Sequence, residues 1–319
     1  MTVSIAAGTT WLGIAAGLFS GACMSLSYLL SRHHALGHAA EARQGAALGL
    51  LLRSHIVMGL VSAPVAALFW PAATPSPASF GLPLVAASLL YLLGNLVLFS
   101  LLRRTEASRL TPFLGLKIFM LAIVVAVVVG EPLSGRQWLA VALSVAATAL
   151  LQGTAGGLSR GAFTRILCVC LLFALADLCI VRLIDALETG PGGSASRLSA
   201  AMLAMLLTYV VCGATCVALL VAGWPAVDRG TGWAAWRAAC IYAATWLAAM
   251  AGLYVCFGLV GALFGNVVQS TRGIMSVVIG ALLAHLGWHE LEQRVDRATL
   301  VRRIGAAALI TAAIAVYVM

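Results

Sequence analysis

The stretch Gly130-Glu131-Pro132-Leu133-Ser134 interrupts an apolar segment that carries Lys117 and leads into a second apolar segment. The end of the chain repeats this arrangement: an apolar segment that carries Arg272, then Trp288-His289-Glu290-Leu291-Glu292, then a last apolar segment. Each unit closes a group of five hydrophobic spans. Because five is an odd number, the second group is predicted to cross a membrane in the opposite orientation to the first. Inverted halves with a charged residue near the midplane are typical of secondary transporters.

Composition excludes an ordinary soluble domain. The chain has 319 residues, of which 62% are hydrophobic and only 9% are charged, far below the charged share of soluble proteins. Apolar stretches of about 20 residues recur from end to end, and each can cross a bilayer core of roughly 30 Å. We therefore expect an all-α integral membrane protein with ten transmembrane helices, because spans of this length in lipid are helical. The predicted spans are 11–31, 47–70, 83–102, 111–129, 136–153, 162–184, 198–222, 236–258, 265–286 and 299–318.

The ten spans divide into two inverted five-helix repeats, residues 1–155 and 156–319. Loops after the odd-numbered spans hold most of the basic residues, so the positive-inside rule places both termini outside the cytoplasm. The net charge of +9 comes from residues scattered over short loops, and we expect no nucleic-acid partner. The expected location is a bacterial inner (plasma) membrane.

Lys117 and Arg272 are the main candidates for substrate binding. Each lies six or seven residues into its span, at a depth of about 10 Å, and the two spans start from opposite faces. The two cations then bracket the midplane, where they suit a phosphate or carboxylate group. The alternative is that each side chain reaches the nearer interface or pairs with an acidic residue.

Polar residues on neighbouring spans are predicted to line the same cavity. The ninth span carries three of them on one helix face, and the others lie on the third and seventh spans. Their alternative role is hydrogen bonding between helices. These candidates are Asn266, Gln269 and Ser270, Tyr91 and Asn95, and Tyr209.

Asp177 lies well inside the sixth span and is a candidate coupling residue. A desolvated carboxylate favours its protonated form, so it can exchange a proton during transport. Asp177 could equally form a structural ion pair with Arg182, about one turn away. Glu131 and Glu290 each precede a helix start and are interpreted as helix caps.

Two histidine pairs leave open a function of another class. His34 and His38, and His285 and His289, each have the spacing that stacks two imidazoles on one helical face, and Glu290 follows the second pair. A His-dependent membrane metalloenzyme is the alternative that this pattern offers. The two pairs belong to opposite halves, and no further residues complete a metal site, so we expect a protein that is not an enzyme and binds no metal.

The residues around the first unit resemble a known family. Leu110-Thr111-Pro112-Phe113-Leu114, followed by Gly130-Glu131-Pro132-Leu133-Ser134 and Gln137, is similar to the EamA-type domain of the drug/metabolite transporter superfamily. His289-Glu290, followed by Arg303-Ile304-Gly305-Ala306, resembles the closing helix of the same domain. The resemblance covers essentially the whole chain as two repeats. It implies a ten-helix exporter or exchanger with a central cavity, alternating access and both termini in the cytoplasm.

The resemblance also implies roles for the two cations. In the nucleotide-sugar and triose-phosphate branches, basic residues on the fourth and ninth helices hold the substrate's phosphate, and Lys117 and Arg272 match them by helix. The resulting hypothesis is a secondary transporter of a small polar, anionic metabolite, with a proton or counter-substrate as partner and no cofactor. The alternative in mechanism is a flippase or exporter of an amphiphile or lipid-linked headgroup.

Overall fold

The computed structural model describes residues 7–36, 43–71, 75–102, 114–152, 160–189, 196–223, 232–272, 275, 279 and 297–318. All regular structure within these residues is helical, which confirms the all-α prediction. Two stretches between apolar segments, 130–134 and 288–292, are here called the first and second elbow. The second elbow and most of the predicted ninth span lie outside the described residues. The helices are α1 (Ala7–Leu36), α2 (Arg43–Leu68), α3 (Pro77–Leu102), α4 (Leu116–Val124, extended by a π-helical turn, Val125–Val129), α5 (Gly135–Gln152), α6 (Arg160–Thr189), α7 (Arg197–Val221), α8 (Trp233–Gln269) and α9 (Arg297–Val318).

The helices are those of an integral membrane protein. Within the described ranges, six of them (α1, α2, α3, α6, α7 and α8) are long and apolar enough to cross a membrane. The segments Leu116–Val129 and Ile304–Val318 are shorter apolar helices. Large apolar side chains such as Leu68, Leu82 and Val221 are exposed on the surface. Such a surface fits lipid as the surrounding medium rather than water.

The long helix α8 folds back on itself at Gly261. The backbone of Gly261 has φ 80° and ψ 166°, a conformation that is readily accessible only to glycine. A Cβ atom added to Gly17 of α1 would lie 2.8 Å from a methyl carbon of Val268 and 2.9 Å from the Cys256 Sγ. In a straight helix Val268 and Cys256 would be about 18 Å apart. Residues 233–260 and 262–269 are therefore two arms that lie side by side against α1.

This turn corrects the sequence prediction in one detail. Residues 259–264 were expected to form a loop between the eighth and ninth spans, but the first arm continues to residue 260 and the second begins at 262. A single left-handed glycine replaces the loop. The Gly258 carbonyl, which a continuous helix would bond to the Ala262 N–H, accepts a hydrogen bond from the Arg197 guanidinium instead. Arg197 also forms ion pairs with Asp185 (2.8 Å) and with Glu188 at the end of α6.

The helices pack mainly in four pairs: α1 with α8, α2 with α7, α3 with α6, and α5 with α9. Each pair joins one helix from each half of the chain. The backbones of α2 and α7 touch: a Cβ added to Gly213 would lie 2.9 Å from both the Gly59 Cα and the His55 carbonyl oxygen. A Cβ added to Gly59 would lie 3.0 Å from the Gly213 Cα and the Tyr209 carbonyl oxygen. The contact is reciprocal, since each glycine faces the other glycine and the carbonyl one turn before it.

The first elbow ends one helix and begins the next. Gly130 has a left-handed backbone (φ 77°), and the Glu131 N–H donates to the Val125 carbonyl at 3.3 Å. A capping box then starts α5: the Gln137 N–H donates to the Ser134 hydroxyl (3.3 Å), and the Ser134 N–H donates to the Gln137 side-chain carbonyl (2.8 Å). The interpretation of Glu131 as the cap is therefore wrong, because Ser134 occupies the capping position and Glu131 precedes it by three residues.

The crossing of α2 and α7 generates a stability prediction. We expect Gly213→Ala to lower the free energy of unfolding by about 1–3 kcal/mol, because its Cβ would collide with backbone atoms that cannot rotate away. Gly81→Ala on α3 is the control, since a Cβ there meets no atom within 4 Å. Thermal unfolding in detergent measures both variants. A Gly213→Ala protein that melts at the wild-type temperature would contradict the close crossing.

Candidate functional site

A group of hydrogen-bonded aromatic side chains lies at the centre of the bundle. We call His55, Tyr91, Tyr209 and Trp246 the aromatic cluster. The Trp246 indole N–H donates to the hydroxyl oxygens of Tyr91 (2.7 Å) and Tyr209 (2.8 Å), and the Tyr209 hydroxyl donates to that of Tyr91 (3.2 Å). The His55 ring lies 5.9 Å from the Tyr91 ring and 6.0 Å from the Tyr209 ring, between centroids. All four side chains are buried.

The aromatic cluster lies at mid-depth in the bundle. Tyr209 is 12 residues from each end of α7, and His55 is 12 and 13 residues from the ends of α2. Tyr91 and Trp246 are also near the middle of α3 and of the first arm of α8. At 1.5 Å per residue these positions are roughly 16–22 Å from the helix ends. The cluster therefore joins two helices of each half at the level expected for a bilayer midplane.

Close packing holds the aromatic cluster in place. The backbone contact between Gly59 and Gly213 brings α2 and α7 together one turn away from His55 and Tyr209. Trp246 stacks on Tyr242 with ring centroids 5.5 Å apart. It also meets the Tyr28 ring of α1 edge to face at 5.7 Å. These contacts fix the direction of the indole N–H that both tyrosines share.

A second polar group, the ion-pair cluster, consists of Lys117, Asp177 and Asn266. The Lys117 ammonium lies 2.8 Å from the Asp177 carboxylate. The Asn266 side-chain N–H donates to the same carboxylate oxygen at 2.7 Å. Asp177 thus joins α4, α6 and the second arm of α8, and its partner is Lys117 rather than Arg182. Pairing with an acidic residue, which the sequence left open for Lys117, is the arrangement in this structure.

Arg272 lies beside α1 and close to the aromatic cluster. Its guanidinium carbon is 5.6 Å from the centre of the Tyr28 ring, and one guanidinium nitrogen contacts the Met24 sulfur at 2.9 Å. Among the residues that the structure describes, no carboxylate pairs with Arg272. A cation over the face of a tyrosine is stabilised by the ring quadrupole, and the guanidinium keeps donors for an anion.

The remaining predicted residues contact different neighbours. The Gln269 side-chain N–H donates to the Ser20 hydroxyl of α1 at 2.7 Å. Ser270 and Asn95 bond to the carbonyls of their own helices, Val267 (2.6 Å) and Tyr91 (3.0 Å). Gln269 therefore joins two helices, whereas the hydrogen bonds of Ser270 and Asn95 stay within their own helices.

Sequence reasoning missed two residues of the aromatic cluster, although each carried a signal. Trp246 is the one tryptophan that lies in the middle of a predicted span rather than near a span end. His55 is the one histidine well inside a predicted span. A polar ring in the middle of an apolar span is costly unless it has a role, and that signal was available in both cases.

The metal-site alternative has no support within the described residues. They contain no group of three or more His, Cys, Asp or Glu side chains that could hold a metal ion. His38, His285 and His289 lie outside the described ranges, and only the backbone of His34 is described.

Comparisons with known proteins give a fold and no family. No family model matches the sequence, and no curated protein matches it. Chains of solved structures do match, 28 of them. One is a crystal structure of a protein with 14% sequence identity, which superposes with a TM-score of 0.61 over 97% of this chain and 96% of that chain. At this identity the match shows that the whole chain shares a fold with that protein, and nothing about activity.

The ion-pair cluster generates a prediction about stability. Lys117→Met leaves the Asp177 carboxylate buried without its cation, and we expect it to lower the free energy of unfolding by about 3 kcal/mol. Asp177→Leu is expected to cost less, because the Lys117 side chain that stays behind is 22% exposed, whereas the Asp177 side chain is 7% exposed. The double variant should be more stable than Lys117→Met, since no buried charge remains. Chemical or thermal unfolding of the four proteins measures the coupling, and strictly additive losses would show that the two side chains do not interact.

Proposed function

We propose that this chain is a secondary transporter of a small polar metabolite with an anionic group, working by alternating access. The observation that carries the proposal is the aromatic cluster, in which buried polar side chains from both halves of the chain meet at mid-depth. A substrate site at the interface of two halves, near the bilayer midplane, is the usual arrangement in secondary transporters.

The proposal includes ten membrane spans in two inverted halves, residues 1–155 and 156–319. The described helices and the two arms of α8 overlap all ten predicted spans. Counted by span, two packs with seven, three and four pack with six, five packs with ten, and one packs with eight and nine, the two arms of α8. If five is added to each span number in the first half and subtracted from each span number in the second half, the same set of pairs results. That self-consistency is what two repeats related by a two-fold axis would produce, and the reciprocal contact of Gly59 and Gly213 fits the same axis.

Arg272 is the proposed anchor of the substrate's anionic group. No carboxylate among the described residues pairs with it, and its guanidinium can bind a carboxylate or phosphate through two parallel hydrogen bonds. Asn266 and Gln269, on the same arm of α8 and buried, would offer further polar contacts to the substrate. Tyr91, Tyr209, Asn95 and Ser270 remain candidate cavity residues.

Lys117 is the proposed second cation, shared between the substrate and Asp177. In the present conformation the Lys117 ammonium forms an ion pair with an Asp177 carboxylate oxygen at 2.8 Å. The Asn266 side-chain N–H donates to the same oxygen. Protonation of Asp177 would release Lys117 to the substrate's anion. The proton and the anion then favour the same state of the transporter, so we propose that they move in the same direction, in place of the exchange that the sequence suggested.

The proposed membership is the EamA-type family of the drug/metabolite transporter superfamily, in a bacterial inner membrane. The support is the sequence resemblance around the first elbow and the pairing of spans. The expected partners are the small-molecule substrate, lipid, and a proton or counter-substrate.

The role of Arg272 is tested by substrate binding. We expect Arg272→Gln to weaken binding of the best anionic ligand at least tenfold, because a charge-assisted pair is lost. Thermal shifts against a panel of phosphate- and carboxylate-bearing metabolites identify the ligand, and a titration then measures its affinity. Arg165→Gln, which removes an exposed charge on α6, is the control. A wild-type affinity of the Arg272→Gln variant for this ligand would contradict the proposed role of Arg272 in binding the anionic group.

The coupling role of Asp177 is tested by flux measurements. Wild-type uptake into proteoliposomes should rise when the outside is made acidic, because protonation frees Lys117. Asp177→Asn should remove this dependence on the pH gradient while transport down a substrate gradient persists. Asp185→Asn is the matched control, since Asp185 pairs with Arg197 at the end of α6. An unchanged proton dependence in Asp177→Asn would eliminate Asp177 as the coupling residue.

A further inference from the structure

His55 has a hydrogen-bond acceptor that the protein leaves unused. Its Nδ1 lies 2.8 Å from the carbonyl oxygen of Leu51, one turn earlier on α2. A carbonyl only accepts, so Nδ1 carries the proton, and Nε2 of the neutral ring presents a bare lone pair. The side chain is 1% exposed, and no group among the described residues donates to Nε2.

Among the described residues, none of the neighbours of His55 donates a hydrogen bond to its Nε2. The single indole N–H of Trp246 is shared between the hydroxyls of Tyr91 and Tyr209, and those hydroxyls bond to each other. Both tyrosine rings are within about 6 Å of the imidazole between centroids. His55 is therefore a buried acceptor surrounded by flat aromatic surfaces, at the mid-depth crossing of α2 and α7.

We propose that the transported molecule contains a planar ring with an N–H donor, and that His55 Nε2 accepts a hydrogen bond from it. The proposal rests on the proposed transport function and names its substrate class: a planar N–H heterocycle that also carries an anionic group. The ring would pack against Tyr91, Tyr209 and Trp246 in a conformation in which the halves have moved apart. The anion would bind Arg272, which is linked to the cluster through Tyr28: the guanidinium lies over the Tyr28 ring, and that ring meets Trp246.

The surroundings of His55 Nε2 favour a ligand that presents a hydrogen-bond donor over a ligand that presents an acceptor or an apolar group there. A buried acceptor without a partner discriminates against ligands that lack the complementary donor, because they would leave it unsatisfied. Aromatic rings prefer edge-to-face or offset contact with other rings, so the surrounding side chains select a flat group. A flexible aliphatic anion would satisfy neither feature of the cluster.

The first experiment uses three probes on the wild-type protein in detergent. Indole-3-acetate has a planar ring, an N–H donor and a carboxylate; 1-methylindole-3-acetate lacks only the donor; cyclohexaneacetate lacks the planar ring. We expect indole-3-acetate to bind about tenfold more tightly than its N-methyl analogue, the ratio that one hydrogen bond supplies. Cyclohexaneacetate should bind more weakly than either. Equal affinities for the two indoles would overturn the role of His55.

The second experiment changes the acceptor. We expect His55→Leu to bind both indoles with equal affinity, and to melt at or above the wild-type temperature when no ligand is present, because an unsatisfied polar atom is removed. A purely structural histidine would instead give a lower melting temperature and an unchanged preference for the N–H probe. Ser62→Ala is the matched control, since the Ser62 hydroxyl, also on α2, is buried and has no hydrogen-bond partner among the described residues. The Ser62→Ala variant should keep the tenfold preference for indole-3-acetate over 1-methylindole-3-acetate.

The outcomes separate this proposal from the transport proposal. If the planar probes fail to bind but cyclohexaneacetate binds in a manner that Arg272→Gln abolishes, the planar-donor class is wrong and the anion transporter stands. If no anionic probe or metabolite binds, both proposals fail.

Discussion

The backbone contact between Gly59 and Gly213 is the constraint on which the rest of the structure depends. In lipid, apolar helices gain little by burying apolar surface against each other, so their association depends on close packing and hydrogen bonds. Two glycines allow α2 and α7 to touch. This contact brings His55 next to Tyr209, at the same depth in the bundle as Tyr91 of α3 and Trp246 of α8. A methyl group at either glycine would separate the two halves at their centre.

Polar groups inside the bundle follow the rule that lipid imposes. A polar group in hydrocarbon has no water to bond to, so each must find a partner in the protein. Lys117 has Asp177, and the Gly258 carbonyl freed by the turn at Gly261 has Arg197. The hydroxyls of the aromatic cluster bond to one indole N–H. Among the described residues His55 Nε2 departs from this rule, as does the Ser62 hydroxyl on the same helix.

Much of the fold could be predicted because membrane spans are local in sequence. A run of about 20 apolar residues identifies a helix without knowledge of its neighbours. The elbow after Val129 was also readable, since Gly130, Ser134 and Gln137 are a helix stop and a capping box within eight residues. The connection between the eighth and ninth spans was predicted in the right place but too long, because turns between helices usually take several residues. The prediction placed a six-residue loop where one residue suffices.

The site was less predictable, because the partner of each charge is far away in sequence. Spacing within a span identified Lys117, Asp177 and Asn266 one by one, but not that one carboxylate would hold the other two. By itself the sequence determined the membrane class, the approximate helix positions and several of the buried polar residues, because apolar length and residue type are local properties. Only the tertiary structure decided which of them meet. Pairing across 37 to 249 residues depends on how the helices cross, and that is set by contacts such as Gly59 with Gly213.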